Sequence, residues 1–552
     1  MVNEVGVKNW MEHLSHKEKI AIMIAIIAAM FFAAVNQTIV GNALPKIISE
    51  LGGLDYYSWV FTIYMLTSSI TTILVGKLSD IYGRKPFLII GIIIFSIGAF
   101  LAGTSSDIFQ MITYRGIQGL GAGMILSTAF TAVGDLFAPR ERGRWQGAMS
   151  AVFGVSSVFG PTLGGYIVDN LEWKWVFWVF LPLGIVALVL IWKLFPKVEK
   201  KRGENVDYAG SLFLTATIVF ALLGFSWAGT KYEWDSAQIL GLFGATIVFL
   251  FIFIIFERKA KSPILPLDLF KNGVFSISNV IGFVIGVSMF GGVMYVPYFI
   301  QGVLGFSATH SSFLTMAMTF GLVFASAIGG QIITKTGKYK VQAIVGLCIS
   351  TLGLYLLSTM DMNTSQFVLV FYLVLVGLGI GIGMTVFTLT VQNAVDQSLL
   401  GVATASSQLF RSIGGTVGVA IMGTLLNSRM KDKMETMMQN NETNHMAASP
   451  ELAGKMESLQ NPQLLLDHEK LDQVKSMLPK EAIPFFGNMI HSLQEALTYA
   501  LSGVFLFVTL TMLIGVVLTF FLKEIPLRSA SDRPRHVNKQ RAVRGKLSNN
   551  ES

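Results

Sequence analysis

The chain has 552 residues, of which 53% are hydrophobic and only 13% are charged, whereas an ordinary soluble domain has about 25% charged residues. A chain this apolar cannot cover itself with polar surface in water, so composition excludes a soluble globular protein and requires lipid as solvent. The net charge of +8 suggests nucleic-acid binding. The basic residues are concentrated in alternate connections between apolar stretches, as in a membrane protein, so no nucleic-acid partner is predicted.

Fourteen apolar stretches, each long enough to cross a bilayer, follow one another along the chain. A membrane-spanning helix needs about 20 apolar residues, and these runs are continuously apolar, unlike the alternating strands of a barrel. The fold class predicted is therefore an all-α membrane protein with fourteen transmembrane helices. The predicted spans are residues 20–43, 57–76, 87–104, 110–133, 146–168, 175–194, 208–229, 237–256, 275–299, 311–334, 341–360, 366–388, 401–426 and 491–522.

Basic residues support this count and predict its orientation. With the tail 1–19 in the cytoplasm, every inner connection is basic, whereas the short outer loops hold only Lys46, Lys174 and Lys231. This alternation follows the positive-inside rule. Both termini, including the basic tail 523–552, are thus predicted to be cytoplasmic, in a bacterial plasma membrane. The inner clusters are Lys77-Arg84-Lys85, Arg140-Arg142-Arg144, Lys197-Lys200-Lys201-Arg202, Arg258-Lys259-Lys261-Lys271 and Lys335-Lys338-Lys340.

One connection, residues 427–490, is long and polar and is predicted to lie outside the cell. It contains a helical stretch, Leu464–Met477, and methionines near His445. The spacing of these residues matches no known metal site, so no metal is predicted and a solvated helical cap is favoured.

The two halves of the chain repeat one glycine-bracketed loop. Gly76 and Gly83 bracket the first copy, and Gly330 and Gly337 bracket the second. Such degenerate repeats are typical of carriers built from two pseudo-symmetric bundles. The predicted organisation is therefore an N-terminal six-helix bundle (20–194), an inserted helix pair (208–256) and a C-terminal six-helix bundle (275–522).

Six motifs occur in order along residues 20–426. In this order they resemble the motifs of the major facilitator superfamily, and three narrow the match to its fourteen-helix drug:proton antiporters. They are Asn36-Gln37-Thr38-Ile39-Val40 with Ala43-Leu44-Pro45; Gly76–Lys85; Arg115-Gly116-Ile117-Gln118-Gly119 with Gly121 and Gly123; Gly154 with Gly160-Pro161-Thr162-Leu163-Gly164-Gly165; Trp173-Lys174-Trp175-Val176-Phe177 with Pro182 and Gly184; and Gln408 with Arg411 and Gly414-Gly415.

The Gly76–Lys85 loop carries an acid, Asp80, that topology does not require. At the inner end of the second span, a carboxylate can face the positive N terminus of a neighbouring helix, a contact worth about 0.3–1 kcal/mol. The resemblance implies a latch that holds the outward-facing state and involves Asp80, Arg84, Arg144 and the glycines 76 and 83. The alternative is an ordinary basic loop with a tight turn at Gly83.

Arg115 lies inside an otherwise apolar span, where an arginine costs about 2.5–3.5 kcal/mol unless it faces the interior and finds acceptors. The resemblance implies a part in proton coupling for Arg115, and the boundary carboxylates Asp135 and Asp55 are further coupling candidates. The alternative is a structural arginine bonded to carbonyl groups.

The fifth span carries the motif that resembles the antiporter signature. Proline removes a backbone donor, so Gly160-Pro161 predicts a local break in the helix. The glycines at 154, 160, 164 and 165 allow close helix approach. The resemblance implies that this face seals the cavity between the bundles, and plain packing is the alternative.

This sequence departs from the family where relatives carry an acid in the first span, because Asn36 stands there. An amide cannot titrate, so Asn36, Gln118, Gln392 and Asn393 are candidates to hydrogen-bond a neutral or zwitterionic substrate in an apolar cavity. The alternative is that each is a polar residue bonded to another helix. Arg411 is a further candidate for the cavity.

The leading functional hypothesis is multidrug efflux, with antibiotic resistance as its consequence: a monomer in the lipid bilayer exports small amphipathic compounds in exchange for protons. No phosphate-binding loop occurs, so no ATPase and no cofactor are predicted. Scattered histidines argue against an enzyme. The alternatives are a dedicated exporter of one lipid, siderophore or peptide, and a sensor that does not transport.

Overall fold

The structure, a computed structural model, describes residues 14–51, 59–137, 139–196, 207–229, 231–260, 263–306, 308–396, 399–439 and 483–526. These residues form fourteen long helices, each long and apolar enough to cross a membrane, so the predicted fold class is confirmed. The helices are α1 (His16–Leu51), α2 (Trp59–Tyr82), α3 (Arg84–Gly103), α4 (Ile108–Leu136), α5 (Pro139–Asn170), α6 (Leu181–Leu194), α7 (Tyr208–Trp227), α8 (Ala237–Lys259), α9 (Gly273–Tyr298), α10 (Ala308–Thr336), α11 (Lys340–Ser358), α12 (Gln366–Asn393), α13 (Leu400–Gln439) and α14 (Ile483–Phe520). The short helix Trp175–Trp178 leads into α6, and the two together make the span Trp175–Leu194.

The helices pack as two bundles with a pair between them. Helices α1–α6 contact one another around one apolar core, and α9–α14 around another. The pair α7–α8 lies against the seam where α2 of the first bundle meets α13 of the second. Glycines allow the helices to pack closely; a Cβ on Gly377 would overlap the carbonyl oxygen of Met318 on α10.

The two bundles share structural details at and just after the repeated glycine-bracketed loop. Gly83 and Gly337 both have positive φ, 87° and 70°, where glycine is favoured. Two residues after Gly83, Lys85 donates to the Trp192 carbonyl at the end of α6 (2.6 Å). Three residues after Gly337, Lys340 donates to the Phe520 carbonyl at the end of α14 (2.9 Å). In each bundle a lysine therefore caps the last helix at its C terminus.

We call the end of the molecule where α2 meets α3 the basic end, because Lys77, Arg84, Lys85 and Arg142 lie there, buried despite their charge. The N terminus of α1, the turn between α10 and α11 and the end of α14 lie at this end as well.

Two predicted boundaries are wrong. The connection predicted over 427–490 begins later and ends earlier, because α13 continues to Gln439 and α14 starts at Ile483. In the added length of the two helices, Met430 is buried and Lys433 pairs with Glu495 on α14 (3.0 Å), so the helices stabilise each other there. The predicted helix Leu464–Met477 and His445 lie outside the described residues.

The predicted break at Gly160-Pro161 is also wrong, because α5 is a continuous helix from Pro139 to Asn170. Neighbouring hydroxyl groups can support the backbone near a proline in a membrane helix. Near this point Thr38 of α1 donates to the Ser156 carbonyl (2.8 Å), five residues before the proline, and so ties α1 to this part of α5.

Candidate functional site

A cavity of about 140 Å³ lies between the two bundles, near the middle of the helices that line it. Ligand pockets for drug-sized molecules are commonly about 300–1,000 Å³, so this one must widen to hold such a compound. The lining residues are Gln37, Tyr64, Met65, Ser68, Ser69, Thr72, Leu126, Phe130 and Phe153 from the first bundle and Met289, Phe290, Met384, Gln408, Leu409, Arg411 and Ser412 from the second.

Of the five residues predicted for the cavity, only Arg411 lines it. Asn36 and Gln118 are fully buried inside the first bundle instead. Asn393 donates to the Ile525 carbonyl beside the basic end (3.3 Å). Gln392 also lies between the bundles, but it is 1% exposed and is not part of the cavity wall.

Asn36 and Gln118 belong to a hydrogen-bonded chain that ends at Arg115. Arg115 donates to Gln118 Oε1 (2.6 Å), and Gln118 donates to Asn36 Oδ1 (3.4 Å). The guanidinium also lies 4.2 Å from the ring centroid of Tyr64, a cavity residue. Its Nη2 is buried with no hydrogen-bond partner among the described residues. The chain therefore holds a buried positive charge just behind the cavity wall.

The double variant Arg115→Met, Gln118→Leu is expected to raise the apparent melting temperature of the purified protein while lowering transport. Replacing a buried charged group and its partner together by apolar side chains is often neutral or stabilising by about 1–4 kcal/mol. Arg115→Met alone leaves Gln118 Oε1 unpaired, which costs about 1–3 kcal/mol, so the single variant should melt below the double variant. A melting temperature that falls in both variants would make Arg115 a structural residue.

At the basic end, Asp80 joins the two bundles. Its Oδ1 accepts from the backbone N–H of Gly401 (3.2 Å), and its Oδ2 accepts from that of Val402 (3.3 Å). These are free N–H groups in the first turn of α13, where the helix dipole favours a negative charge. A side chain of the first bundle thus caps a helix of the second.

Arg84 holds Asp80 in place. It pairs with Asp80, donates to Asp135 Oδ2 (2.7 Å) and donates to the Ser79 hydroxyl (2.6 Å). Asp135, a predicted coupling residue, is therefore an ion-pair partner in this cluster. The third predicted coupling residue, Asp55, lies outside the described residues.

Arg144 is not brought to this cluster in the part of the chain that the structure describes. Its side chain is exposed and lies over Trp145, with 6.0 Å to the ring centroid. The buried arginine of this segment is Arg142, which donates to the carbonyls of Gly134 (2.6 Å) and Phe137 (3.0 Å). It caps α4 at the C terminus, so positive-inside charge and capping explain it.

The second bundle makes the reciprocal contact. Thr334, which occupies the place of Asp80 in the repeat, accepts at its hydroxyl oxygen from the backbone N–H of Arg144 near the start of α5 (3.2 Å). The two bundles therefore hold each other by a pair of related contacts, one charged (α2 on α13) and one neutral (α10 on α5).

Two glycine pairs bring the same helices together. A Cβ on Gly401 would overlap the carbonyl oxygen of Gly76, and a Cβ on Gly330 would overlap that of Gly143. Gly143 and Gly401 are not among the residues predicted from the sequence. The pseudo-symmetry of the two bundles is the signal that could have identified them. Gly401 is the partner of Gly76 in the first copy of the repeat, and Gly143 is the partner of Gly330 in the second.

A layer of amides lies between these contacts and the cavity. Gln392 of α12 donates to the Phe130 carbonyl of α4 (3.1 Å) and to the Thr404 hydroxyl (3.1 Å). It accepts from Gln146 of α5 (3.3 Å). Gln392 therefore links the bundles as part of the closed basic end.

The glycines of the fifth-span motif divide between two roles. Gly154 lies at the boundary between bundles, where a Cβ would overlap Val323 of α10. Gly160 and Gly164 lie against α1 within the first bundle, at Thr38 and Ile39, and a Cβ on Gly165 would meet nothing within 4 Å. Only Gly154 thus lies where it can seal the space between bundles.

A buried carboxylate that sequence reasoning missed is Glu257. The predicted span ended at residue 256, whereas α8 continues to Lys259 and Glu257 is 3% exposed. Its Oε1 accepts from the Leu265 N–H (2.7 Å), and its Oε2 lies beside the Asp207 carboxylate near Gly210. In the sequence, an acid followed by basic residues at the end of a span is typical of ordinary surface charge. The sequence therefore did not indicate that Glu257 is buried.

The chain is similar to known proteins over most of its length. Residues 26–419 match the family model described as Major Facilitator Superfamily. The chain is 37% identical to multidrug transporter protein MdtP of Bacillus subtilis, across 94% of this chain and 96% of that one. It is 31% identical to multidrug resistance protein 3 of the same organism, across 94% and 98%. In fold, it is similar to the human organic anion transporter MFSD10, with a TM-score of 0.58 and 12% identity across 90% and 99%.

Proposed function

Since the chain belongs to the Major Facilitator Superfamily, we propose that it is a secondary transporter that exports amphipathic compounds across the plasma membrane in exchange for protons. Family membership itself shows that the protein is a multi-pass membrane transporter. The export of amphipathic compounds and the exchange for protons are the proposal.

The observation that carries the proposal is a cavity at mid-depth between two bundles whose basic ends are held together. The described contacts of Asp80, Thr334 and Gln392 all join the bundles on one side of the cavity. Alternating access needs such an arrangement, because rocking of one bundle against the other can expose the cavity to each side in turn.

The placement of charge supports an orientation for the protein in the membrane. By the positive-inside rule, the basic end is proposed to face the cytoplasm, and in that orientation the latch closes the cytoplasmic side. Two relatives with multidrug names, each aligned over more than nine-tenths of both chains, support export of amphipathic compounds.

Proton coupling is supported by ionisable groups at the basic end. Asp80 and Asp135 share Arg84, and Glu257 lies beside Asp207 with Lys77 near enough to interact electrostatically. Opening the latch separates Asp80 from the α13 N terminus, which changes the environment of a carboxylate. A conformational change that alters a carboxylate's surroundings alters its proton affinity.

We expect purified protein in liposomes with an acidic lumen to accumulate amphipathic fluorescent dyes, and a protonophore to abolish the accumulation. A panel of dyes that share one apolar body and differ in charge separates multidrug export from dedicated export of one solute. Protein-free liposomes are the control. Dye accumulation that ignores the pH gradient would exclude proton antiport, and the absence of any protein-dependent movement would exclude dye export altogether.

A further inference from the structure

We propose that the central cavity selects amphipathic compounds whose polar group is an anion, which Arg411, Gln408 and Tyr64 hold by hydrogen bonds. This inference rests on the transport function proposed above and names the substrate class of that site.

The cavity wall presents hydrogen-bond donors that have no partner. Tyr64 is 2% exposed, and its hydroxyl has no hydrogen-bond partner among the described residues. The same holds for Gln408 Nε2. Arg411 follows Gln408 by three residues on α13, so both side chains lie on one face of the helix. Each of these donors lines the same cavity, and they come from both bundles. Buried hydrogen-bond donors normally have acceptors. The Tyr64 hydroxyl and Gln408 Nε2 have none among the described residues, so a bound ligand can supply the acceptor.

The charge of the cavity is positive. Arg411 is the one charged side chain among its described lining residues, and no carboxylate is among them. A guanidinium stays protonated in proteins. Arg115 adds a second buried guanidinium behind the Tyr64 ring. With no acid to neutralise either group in the wall, the cavity repels organic cations and attracts anions.

The rest of the wall is apolar and adaptable. Met65, Met289 and Met384 come from three helices and lie with Phe290 around the cavity. Methionine side chains are flexible and polarisable, so they can pack against apolar bodies of different shapes. The donors therefore fix the charge of the substrate, whereas the methionines leave its apolar part variable.

A matched pair of fluorescent ligands tests the charge preference. The carboxylate 6-(dansylamino)hexanoate and the amine dansylcadaverine share the dansyl body and have chains of similar length. Binding is measured by dansyl fluorescence with the full-length protein in nanodiscs of zwitterionic lipid, with empty nanodiscs subtracted. We expect the carboxylate to bind at least about tenfold more tightly, because charge-assisted hydrogen bonds to arginine are among the strong ones.

Substitutions assign the preference to the donors. Arg411→Gln should weaken binding of the carboxylate by about tenfold or more, whereas Arg411→Lys should retain much of it. Arg429→Gln on the same helix is the control, because Arg429 packs over Tyr499 (4.3 Å to the ring centroid) away from the cavity wall. If Arg411→Gln does not fold, Gln408→Leu and Tyr64→Phe each remove one donor and should weaken the carboxylate selectively.

The outcomes separate this inference from the proposed function. Preferential carboxylate binding that Arg411→Gln abolishes would support it. Equal binding of both dyes, or tighter binding of the amine, would overturn it, and gradient-driven transport of the amine would then leave the export proposal intact. If the carboxylate binds as expected but no dye moves in liposomes, the anion site stands and the export proposal fails.

Discussion

Asp80→Asn is expected to lower the transport rate by at least about tenfold while the protein remains in the membrane at its usual level. The carboxylate accepts from the Gly401 and Val402 N–H groups and pairs with Arg84. Hydrogen bonds to a charged group contribute about 1.5–3 kcal/mol, so losing the charge shifts the balance between closed and open basic ends by at least about tenfold. Asparagine keeps the shape, so the loss isolates the charge.

The matched control is Asp107→Asn, because Asp107 also accepts hydrogen bonds from N–H groups at a helix N terminus but does not join the two bundles. Its Oδ1 accepts from the Phe109 and Gln110 N–H groups of its own helix (2.8 and 2.9 Å). Asparagine caps a helix about as well as aspartate, so this change removes only a negative charge at a helix N terminus, worth about 0.3–1 kcal/mol, and leaves the latch untouched. We therefore expect Asp107→Asn to retain transport.

Labelling with a thiol reagent measures the conformational shift directly. Cys348 is the only cysteine, so replacing it with serine gives a clean background. Ser326 is fully buried on α10, with its backbone carbonyl against Gly147 of α5 and its hydroxyl donating to the Gly381 carbonyl of α12 (3.0 Å). Ser326→Cys should therefore react slowly from the basic side. Adding Asp80→Asn should accelerate that reaction several-fold. Unchanged labelling and unchanged transport together would show that Asp80 is not a latch.

Hydropathy and charge predicted the number of helices, because a bilayer imposes one length and one pattern on every span. The same signals failed at α13 and α14, where the helices continue beyond the predicted spans and the charged residues Lys433 and Glu495 pair with each other. Such helix ends depend on tertiary contacts, which hydropathy does not record.

The cavity residues show why site prediction failed where it did. Asn36 and Gln37 are neighbours in sequence, yet Asn36 bonds inside the first bundle and Gln37 lines the cavity. One residue turns an α-helix by about 100°, so a polar side chain in a span does not reveal which way it points. Asp80 could be singled out because topology requires no acid in the Gly76–Lys85 loop, but its partner Gly401 lies 321 residues away and carries no such signal.

Gly330→Ala is expected to reduce transport to less than about a tenth, because the basic ends could no longer approach each other. The added Cβ would overlap the Gly143 carbonyl oxygen, which belongs to backbone and cannot turn aside. Close-packed interiors do not absorb such an overlap without shifting helices. Since the two glycines lie on different bundles, the helices can separate only by opening the basic end.

Alanine substitutions at two other glycines distinguish a loss of transport caused by a blocked basic end from one caused by misfolding. Gly164→Ala would overlap Ile39 inside the first bundle, so it should lower the melting temperature without favouring the open basic end. Gly244→Ala lies on α8 with nothing within 4 Å and should leave both transport and melting unchanged. Gly330→Ala should keep the parental melting temperature and accelerate labelling of Ser326→Cys. A loss of transport with slow labelling would instead mean that the two glycines matter for folding, and the closing of the basic end would need another explanation.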